Sequence, residues 1–389
     1  MSRCDIFCAV VDNYGDIGVC WRLARQLANE RGLHVRLWVD DLRSFGMLCP
    51  ELDAKLDEQR CRRVEVRRWS VDFPDIEPAD LVVEAFACEL PQSYRVAMAA
   101  REPKPVWINL EYLSAEDWVE GCHKLPSPHP TLPLTKYFFF PGFTEKTGGL
   151  LLERDLLVRR NAFQSDTEAQ QKFWHGLGVP QRMDGELRVS LFGYENAAME
   201  GLLTAWEQGA QPVTCLLPEG RSLPQVKKHF ENVGWDSSWP SHSVGMNPNL
   251  HSYQRGNLRV HVLPFVEQER YDELLWACDI NFVRGEDSCV RAQWAARPFV
   301  WQIYPQHDGV HLEKLEALRV RYTAGLPPEA ALAVQDLWLA WNGGQDVDEA
   351  WQCFAAQCEL LTRHGVEWAR RLASNNLALN LLDFSRQVA

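Results

Sequence analysis

Asp12 and Asp16 flank the tip of one short turn, Asn13-Tyr14-Gly15, directly after the apolar run that begins at Cys4. Carboxylates this close repel each other, and neither suits a phosphate cradle, which avoids negative charge. The pair points to proton transfer, or to recognition of a hydroxyl or a cation. One acid acts as a general base while its companion orients the group being deprotonated. The competing reading makes them turn and helix-capping residues. Capping satisfies one of them, not both.

A second constellation is Arg284-Gly285-Glu286-Asp287-Ser288, between an apolar run and a helix-period segment. A helix N-terminus offers backbone N–H groups and the positive end of a dipole, which suits a diphosphate. Arg284 supplies a fixed cation, Ser288 a hydroxyl donor, and Glu286 an acceptor for sugar or ribose hydroxyls. Gly285 permits close backbone approach. Asp287 and Ser288 also read as plain caps. Aromatic residues at strand ends, Phe192, Tyr194 and Phe265, can stack on a nucleobase, and Gln268 can pair with a base edge or a phosphate. Glu111-Tyr112, at another strand end, faces an acceptor. His307 and His311 mimic a zinc-helix spacing, but Gly309 lies between them, so no metal site is expected.

Strands alternating with helices must position these groups. In the first half the expected strands are Ile6–Val11, Leu33–Val39, Asp80–Glu84, Val106–Leu110 and Tyr137–Phe140. A helix from Val19 has Val19, Leu23 and Leu27 on one face and arginines opposite, and ends at Gly32. Residues 151–186 read as a polar linker with one helix near Thr167–Trp174. A second series follows: strands at 187–192, 212–217, 258–263, 280–283 and 299–303, with helices at 197–208 and 271–277. The tail from Val347 is helical by period. This alternation implies two α/β domains with parallel sheets. Their boundaries are set at 1–180, 181–360 and a helical tail, 361–389, packing back on the first domain. Two such domains facing a central cleft place a small-molecule site in that cleft.

Composition bounds the function. The 389 residues are 46% hydrophobic and 24% charged, as in a globular protein of two ordinary domains. A net charge of −13 argues against a nucleic-acid or anionic-membrane binder. No secretory signal or run of about 18 apolar residues is present. The twelve cysteines include no C-x-x-C pair, and several sit in apolar runs. Free thiols and a reducing cytoplasm are expected.

The order of motifs resembles the two-domain GT-B glycosyltransferase architecture. More specifically, Val11–Arg25, Leu37-Trp38-Val39-Asp40-Asp41, Glu111–Glu116, Gly142–Leu150, Leu191–Tyr194, Arg284–Gln293 and Ile303–Gln306 resemble the bacterial protein-arginine rhamnosyltransferases that modify translation elongation factor P, the EarP family. The resemblance implies a GT-B fold, dTDP-β-L-rhamnose as donor, an arginine of elongation factor P as acceptor, inversion at the anomeric carbon, and no metal or other cofactor. It implies that Asp16 is the general base, Asp12 its companion and Glu286 a required acid near the donor. Asn13, Tyr14 and Gly15 would approach the donor. Phe192, Tyr194, Phe265, Gln268, Arg284, Gly285, Asp287 and Ser288 would contact nucleotide and diphosphate. Tyr14 stands where phenylalanine also occurs, and Cys289 where an aromatic is usual; neither removes a proposed chemical group. The residues leave open which acid takes the proton. They also leave open a GT-B transferase for another sugar or acceptor, or a non-catalytic nucleotide-sugar-binding partner of the translation factor.

Overall fold

The computed structural model describes residues 3–12, 14–231, 252–305 and 309–389. The chain divides into two compact units, Met1–Arg154 with Arg370–Ala389, and Asp155–Ala369. The polar stretch read as a linker forms two helices, Leu156–Ser165 and Thr167–Gly176, which belong to the second unit. The division therefore falls at 154/155 rather than 180/181. Polarity misled here because these helices bury only a narrow stripe: Leu156, Arg160, Phe173 and Trp174.

Among the described residues the first unit holds eight strands: β1 Arg3–Cys8, β2 His34–Val39, β3 Glu58–Cys61, β4 Val64–Arg68, β5 Leu81–Ala85, β6 Val106–Leu110, β7 Pro126–Pro128 and β8 Thr135–Phe139. Their order is β3-β4-β2-β1-β5-β6-β8-β7. The inner pairs are parallel, and β3 and β7 close the edges antiparallel. From β1 the chain proceeds outward through β2, then returns to the other side of β1 at β5. The carboxyl ends of β1 and β5 thus form a topological switch point, where ligands of open α/β sheets bind.

β1 is shorter than its apolar run suggests. The Val10 N–H goes to the Asp40 carboxylate (2.9 Å), and those of Val11 and Asp12 go to Asp16 (2.8 Å each). Backbone donors bound to side chains leave the ladder, so the strand stops at Cys8. The helix begins at Gly15 instead of Val19 and ends with Gly32 in the left-handed conformation at its C-cap. It is buried on nearly all sides. Arg22, expected to face solvent, is buried against Glu153 at 3.3 Å, and Gln26 Nε2 donates to the Leu152 carbonyl at 2.6 Å. One face of the sheet carries an aromatic core including Phe7, Trp38, Tyr94 and Trp107.

The final helix, Leu377–Val388, is part of the first unit. Asn375 Nδ2 donates to the Thr144 carbonyl (2.6 Å), Asn380 Nδ2 to that of Gly148 (3.0 Å), and Phe384 meets Tyr137 edge-on.

The second unit has strands β9 Leu187–Leu191, β10 Val213–Pro218, β11 Ser252–Arg255, β12 Leu258–Leu263, β13 Ile280–Arg284 and β14 Phe299–Gln302, in the order β11-β12-β10-β9-β13-β14. All neighbours are parallel except β11 and β12. The switch point here lies between β9 and β13. Helices Val310–Thr323 and Pro328–Gly343, which the sequence pattern did not single out, add to this unit. All twelve cysteines are free. Among the described residues no helix is long and apolar enough to cross a membrane.

Candidate functional site

Both chemical constellations sit at switch points, one in each unit. In the first, the turn after β1 carries Asp12, and Asp16 lies in the first turn of helix Gly15–Arg31. Asp16 is 3% exposed. Its Oδ2 accepts the backbone N–H groups of Val11 and Asp12, both at 2.8 Å. Burial raises the Asp16 carboxyl above the ordinary aspartate range. The two N–H donors pull the other way, while the charges of Asp12 and Asp40 add to the rise. The result is a buried, oriented carboxylate more basic than a surface one.

Gly15 leaves room for a close approach. A Cβ built there would lie 2.8 Å from Asp12 Oδ2, so the Asp12 carboxylate rests over the start of the helix. Gly15 N–H also donates to the Asp12 carbonyl at 2.6 Å. Tyr14 is the N-cap residue and makes no side-chain cap. Asn13 lies outside the described residues. Asp40 directly follows β2. It fixes the same loop by accepting the N–H groups of Val10 and Asp41. Ser114 Oγ accepts the Glu116 N–H at 3.0 Å and donates to the Glu116 carboxylate at 2.8 Å.

In the second unit, Arg284 ends β13 and is 6% exposed. Its guanidinium carbon lies 4.4 Å from the Phe192 ring centroid and 4.6 Å from that of Tyr194. These aromatics follow β9, the strand adjacent to β13. The rings read as nucleobase platforms therefore hold a cation, a contact favoured by the ring quadrupole. Arg284 Nη1 donates to the Gly193 carbonyl at 3.1 Å, and Ser222 Oγ donates to the same oxygen at 3.0 Å. Tyr194 N–H donates to Gln302 Oε1 at 2.8 Å. A side chain at Gly193 would strike that oxygen, with Cβ only 2.8 Å away. Ser222 and Gln302 carried no local signal. They arrive from 29 and 108 residues away.

Gly285, at φ +63°, turns the chain from strand into helix Gly285–Ala295, whose N-terminus has no side-chain cap. Ser288 does not extend a hydroxyl into open space. Its Oγ accepts the Arg284 N–H at 3.1 Å and donates to the Arg284 carbonyl. Its role here is to fix the Arg284 backbone. Glu286 and Asp287 occupy the first helical turn. Gln268 opens the neighbouring helix Gln268–Ala277, and its Nε2 donates to Asp287 Oδ2 at 3.3 Å. The two helices are further joined by a buried bidentate pair, Arg291 with Asp272, at 2.8 and 2.7 Å. Phe265 follows β12, close in sequence to Gln268 but on a different connection from Arg284. Asp272 and Arg291 support the site, although in sequence each looks like an ordinary helix charge.

No group of three or more His, Cys, Asp or Glu is placed to hold a metal among the described residues. His307 lies outside them.

A family model described as elongation-factor P (EF-P) rhamnosyltransferase EarP matches residues 4–386. The chain is 50% identical over 383 residues to a protein-arginine rhamnosyltransferase of Pseudomonas putida, covering 98% of each chain. It is 48% identical to one of Pseudomonas aeruginosa, covering 99% of each. It is also similar to a solved structure on EarP-mediated arginine glycosylation of translation elongation factor EF-P, with 37% identity, TM-score 0.69 and full coverage of both chains. A glycosyltransferase structure from Rickettsia africae shares the fold at 9% identity and TM-score 0.52, covering 100% of this chain and 98% of that one. The fold is GT-B. With a match that runs from β1 through the last helix, the chain belongs to the EF-P rhamnosyltransferase EarP family.

Proposed function

We propose that this protein transfers L-rhamnose from dTDP-β-L-rhamnose to an arginine side chain of translation elongation factor P, in the cytoplasm and without a metal or other cofactor. The observation that carries the reading is the buried Asp16 carboxylate, held by two backbone N–H groups and made more basic by burial. A guanidinium is protonated near neutral pH, and its lone pairs are delocalised. It attacks only if something orients it and removes a proton. Asp12 and Asp16 hold the cation, align one nitrogen with the anomeric carbon, and take the proton as the bond forms.

Transfer is a single in-line displacement with inversion. The guanidinium nitrogen forms the new bond to C1, and the C1–oxygen bond to dTDP breaks. The nitrogen's proton passes to the Asp16 carboxylate, and the electron pair of the broken bond leaves with dTDP. Arg284 and the uncapped N-terminus of helix Gly285–Ala295 stabilise the departing diphosphate. Phe192 and Tyr194 keep that cation in place, and Ser288 fixes its main chain. Glu286, Asp287 and Gln268 contact the nucleotide sugar, with Phe265 and the Asn13-Tyr14-Gly15 loop. The net acidity of the chain, −13, suits a cationic acceptor.

Mass spectrometry of elongation factor P after incubation with the protein and dTDP-β-L-rhamnose tests the reading. A deoxyhexose increment on one arginine is expected. Its absence, or tighter binding of UDP-glucose or GDP-mannose than of dTDP-rhamnose, overturns the assignment.

A further inference from the structure

At the carboxyl edge of the first sheet, β5 runs into Phe86, and β6 runs into Glu111 and Tyr112. The Phe86 and Tyr112 rings stack with centroids 4.5 Å apart and planes 19° from parallel. Tyr112 is 37% exposed. Stacked aromatics ordinarily belong to a core, whereas this pair lies at the rim of the sheet. β5 and β6 stand one and two strand spacings from β1, about 5 and 10 Å. The stack is therefore a near neighbour of the Asp12–Asp16 turn.

The loop that presents Phe86 is held in an unfavourable conformation. Phe86, Ala87 and Glu89 all have φ between +53° and +56°, a region that side chains other than glycine rarely enter. Buried polar groups from three strands impose it. Ala87 N–H donates to Asn109 Oδ1 (3.1 Å), Glu89 N–H to Glu84 Oε1 (3.2 Å), and Cys88 Sγ to the Phe7 carbonyl (3.4 Å). Asn109 and Glu84 are essentially inaccessible to solvent. The same bonds that seat Cys88 and Leu90 against the core fix the position of the half-buried Phe86 ring.

Residues 9–16, 84–89 and 109–118 contain seven carboxylates and no lysine or arginine. Two of the seven, Asp16 and Glu84, are buried, and Glu84 is paired with Lys136 at 3.4 Å; the other five form the acidic rim. Val11, 73% exposed, adds an apolar contact beside them. Aromatic faces with a carboxylate rim attract guanidinium and ammonium groups, through the ring quadrupole and through unscreened charge.

Resting on the transferase reading above, we propose that the Phe86–Tyr112 stack, with its acidic rim, is the docking platform for the cationic loop of the acceptor protein. The loop lays a guanidinium-bearing side chain along the rings, so that the arginine to be modified enters the Asp12–Asp16 turn already oriented. The rigid loop after β5 pays the ordering cost before binding.

The test compares the full-length protein with Tyr112→Ala, Tyr112→Phe and Glu89→Lys, by titration with elongation factor P and separately with dTDP-rhamnose. Tyr112→Ala and Glu89→Lys are expected to weaken acceptor binding by about tenfold, the scale of one cation–π or charge contact. Donor affinity stays within about twofold, and Tyr112→Phe, which keeps the ring face, binds acceptor as the wild type does. Acceptor affinity should also fall as salt rises, less steeply in Glu89→Lys. Glu89 is exposed at the rim, so its variant reports even if a Tyr112 change harms folding. Unchanged acceptor affinity in both variants overturns the platform and leaves the transferase reading standing. A loss confined to donor binding assigns the stack to the nucleobase and overturns the platform as well. A wild-type dimer that both variants dissociate, with acceptor affinity intact, assigns it to a second copy of the chain. Wild-type protein that binds the acceptor through the stack yet transfers no sugar overturns the reaction and not the platform.

Discussion

Asp16 Oδ2 accepts the backbone N–H of Asp12 at 2.8 Å, so the buried acid of the turn sets the main-chain position of the half-buried one. The carboxylates are mechanically linked even where their charges oppose each other. Asp16 also holds the Val11 N–H, which ends β1 and frees the turn to leave the sheet. One side chain thereby shapes the loop and supplies the proposed base.

Asp16→Asn separates these roles. The amide oxygen still accepts both N–H groups, so the loop is retained, while the capacity to take a proton is lost. Transfer should drop by about 100- to 10,000-fold, the usual contribution of a general base, with dTDP-rhamnose affinity unchanged. Measurable turnover near the wild-type rate would remove Asp16 from the base role.

Because burial raises the Asp16 carboxyl, the acid limb of the rate profile should lie above the ordinary aspartate range. Activity falls as pH drops through that raised value. The stability effect has the opposite sense. Between the unfolded and folded values the native state binds the proton more tightly, so stability declines as pH rises through this window. Above it, the charged Asp16 is a standing cost, and Asp16→Asn should melt higher than wild type at pH 8 but no higher at pH 4. Thermal melts at both pH values check the sign. A lower melting temperature for the variant at pH 8 contradicts it.

Gly15→Ala probes the close approach over the helix start. The new Cβ would lie 2.8 Å from Asp12 Oδ2, and the flexible Asp12 side chain can move aside. Stability should change by less than about 1 kcal/mol, yet transfer should fall by at least about tenfold as Asp12 is displaced. Chemical unfolding and acceptor kinetics on the same sample distinguish the two. Unimpaired transfer shows that the Asp12 position does not matter.

Arg284→Ala removes the cation held between Phe192 and Tyr194. A charge-assisted contact contributes about 1.5–3 kcal/mol, so dTDP affinity should fall by about 10- to 100-fold in calorimetric titration. Arg284→Lys should recover little, because an ammonium lacks the planar surface that fits between rings. An unaltered dTDP isotherm for the alanine variant contradicts the diphosphate assignment.

Asp272→Ala strands the buried Arg291 guanidinium and should cost about 3–5 kcal/mol in urea unfolding. Replacing both residues, as Asp272→Leu with Arg291→Met, should recover most of that loss. If the double variant is as unstable as the single one, the pair does more than balance charge.

Much of this protein was legible from residue order. The β1 turn, the Arg284–Ser288 motif, most parallel strands and the Gly32 helix stop follow from local patterns of apolar period, glycine and carboxylate, each set by near neighbours in the chain. Tertiary structure alone decided where those patterns meet. Both motifs fall at switch points only because β5 and β13 return beside β1 and β9, and strand order is not encoded in local periodicity. The seating of Arg284 depends on Ser222 and Gln302 from distant segments, and the raised basicity of Asp16 depends on burial. Desolvation, packing and charge proximity are properties of space, so residue order names the reacting groups while the fold sets their strength and position.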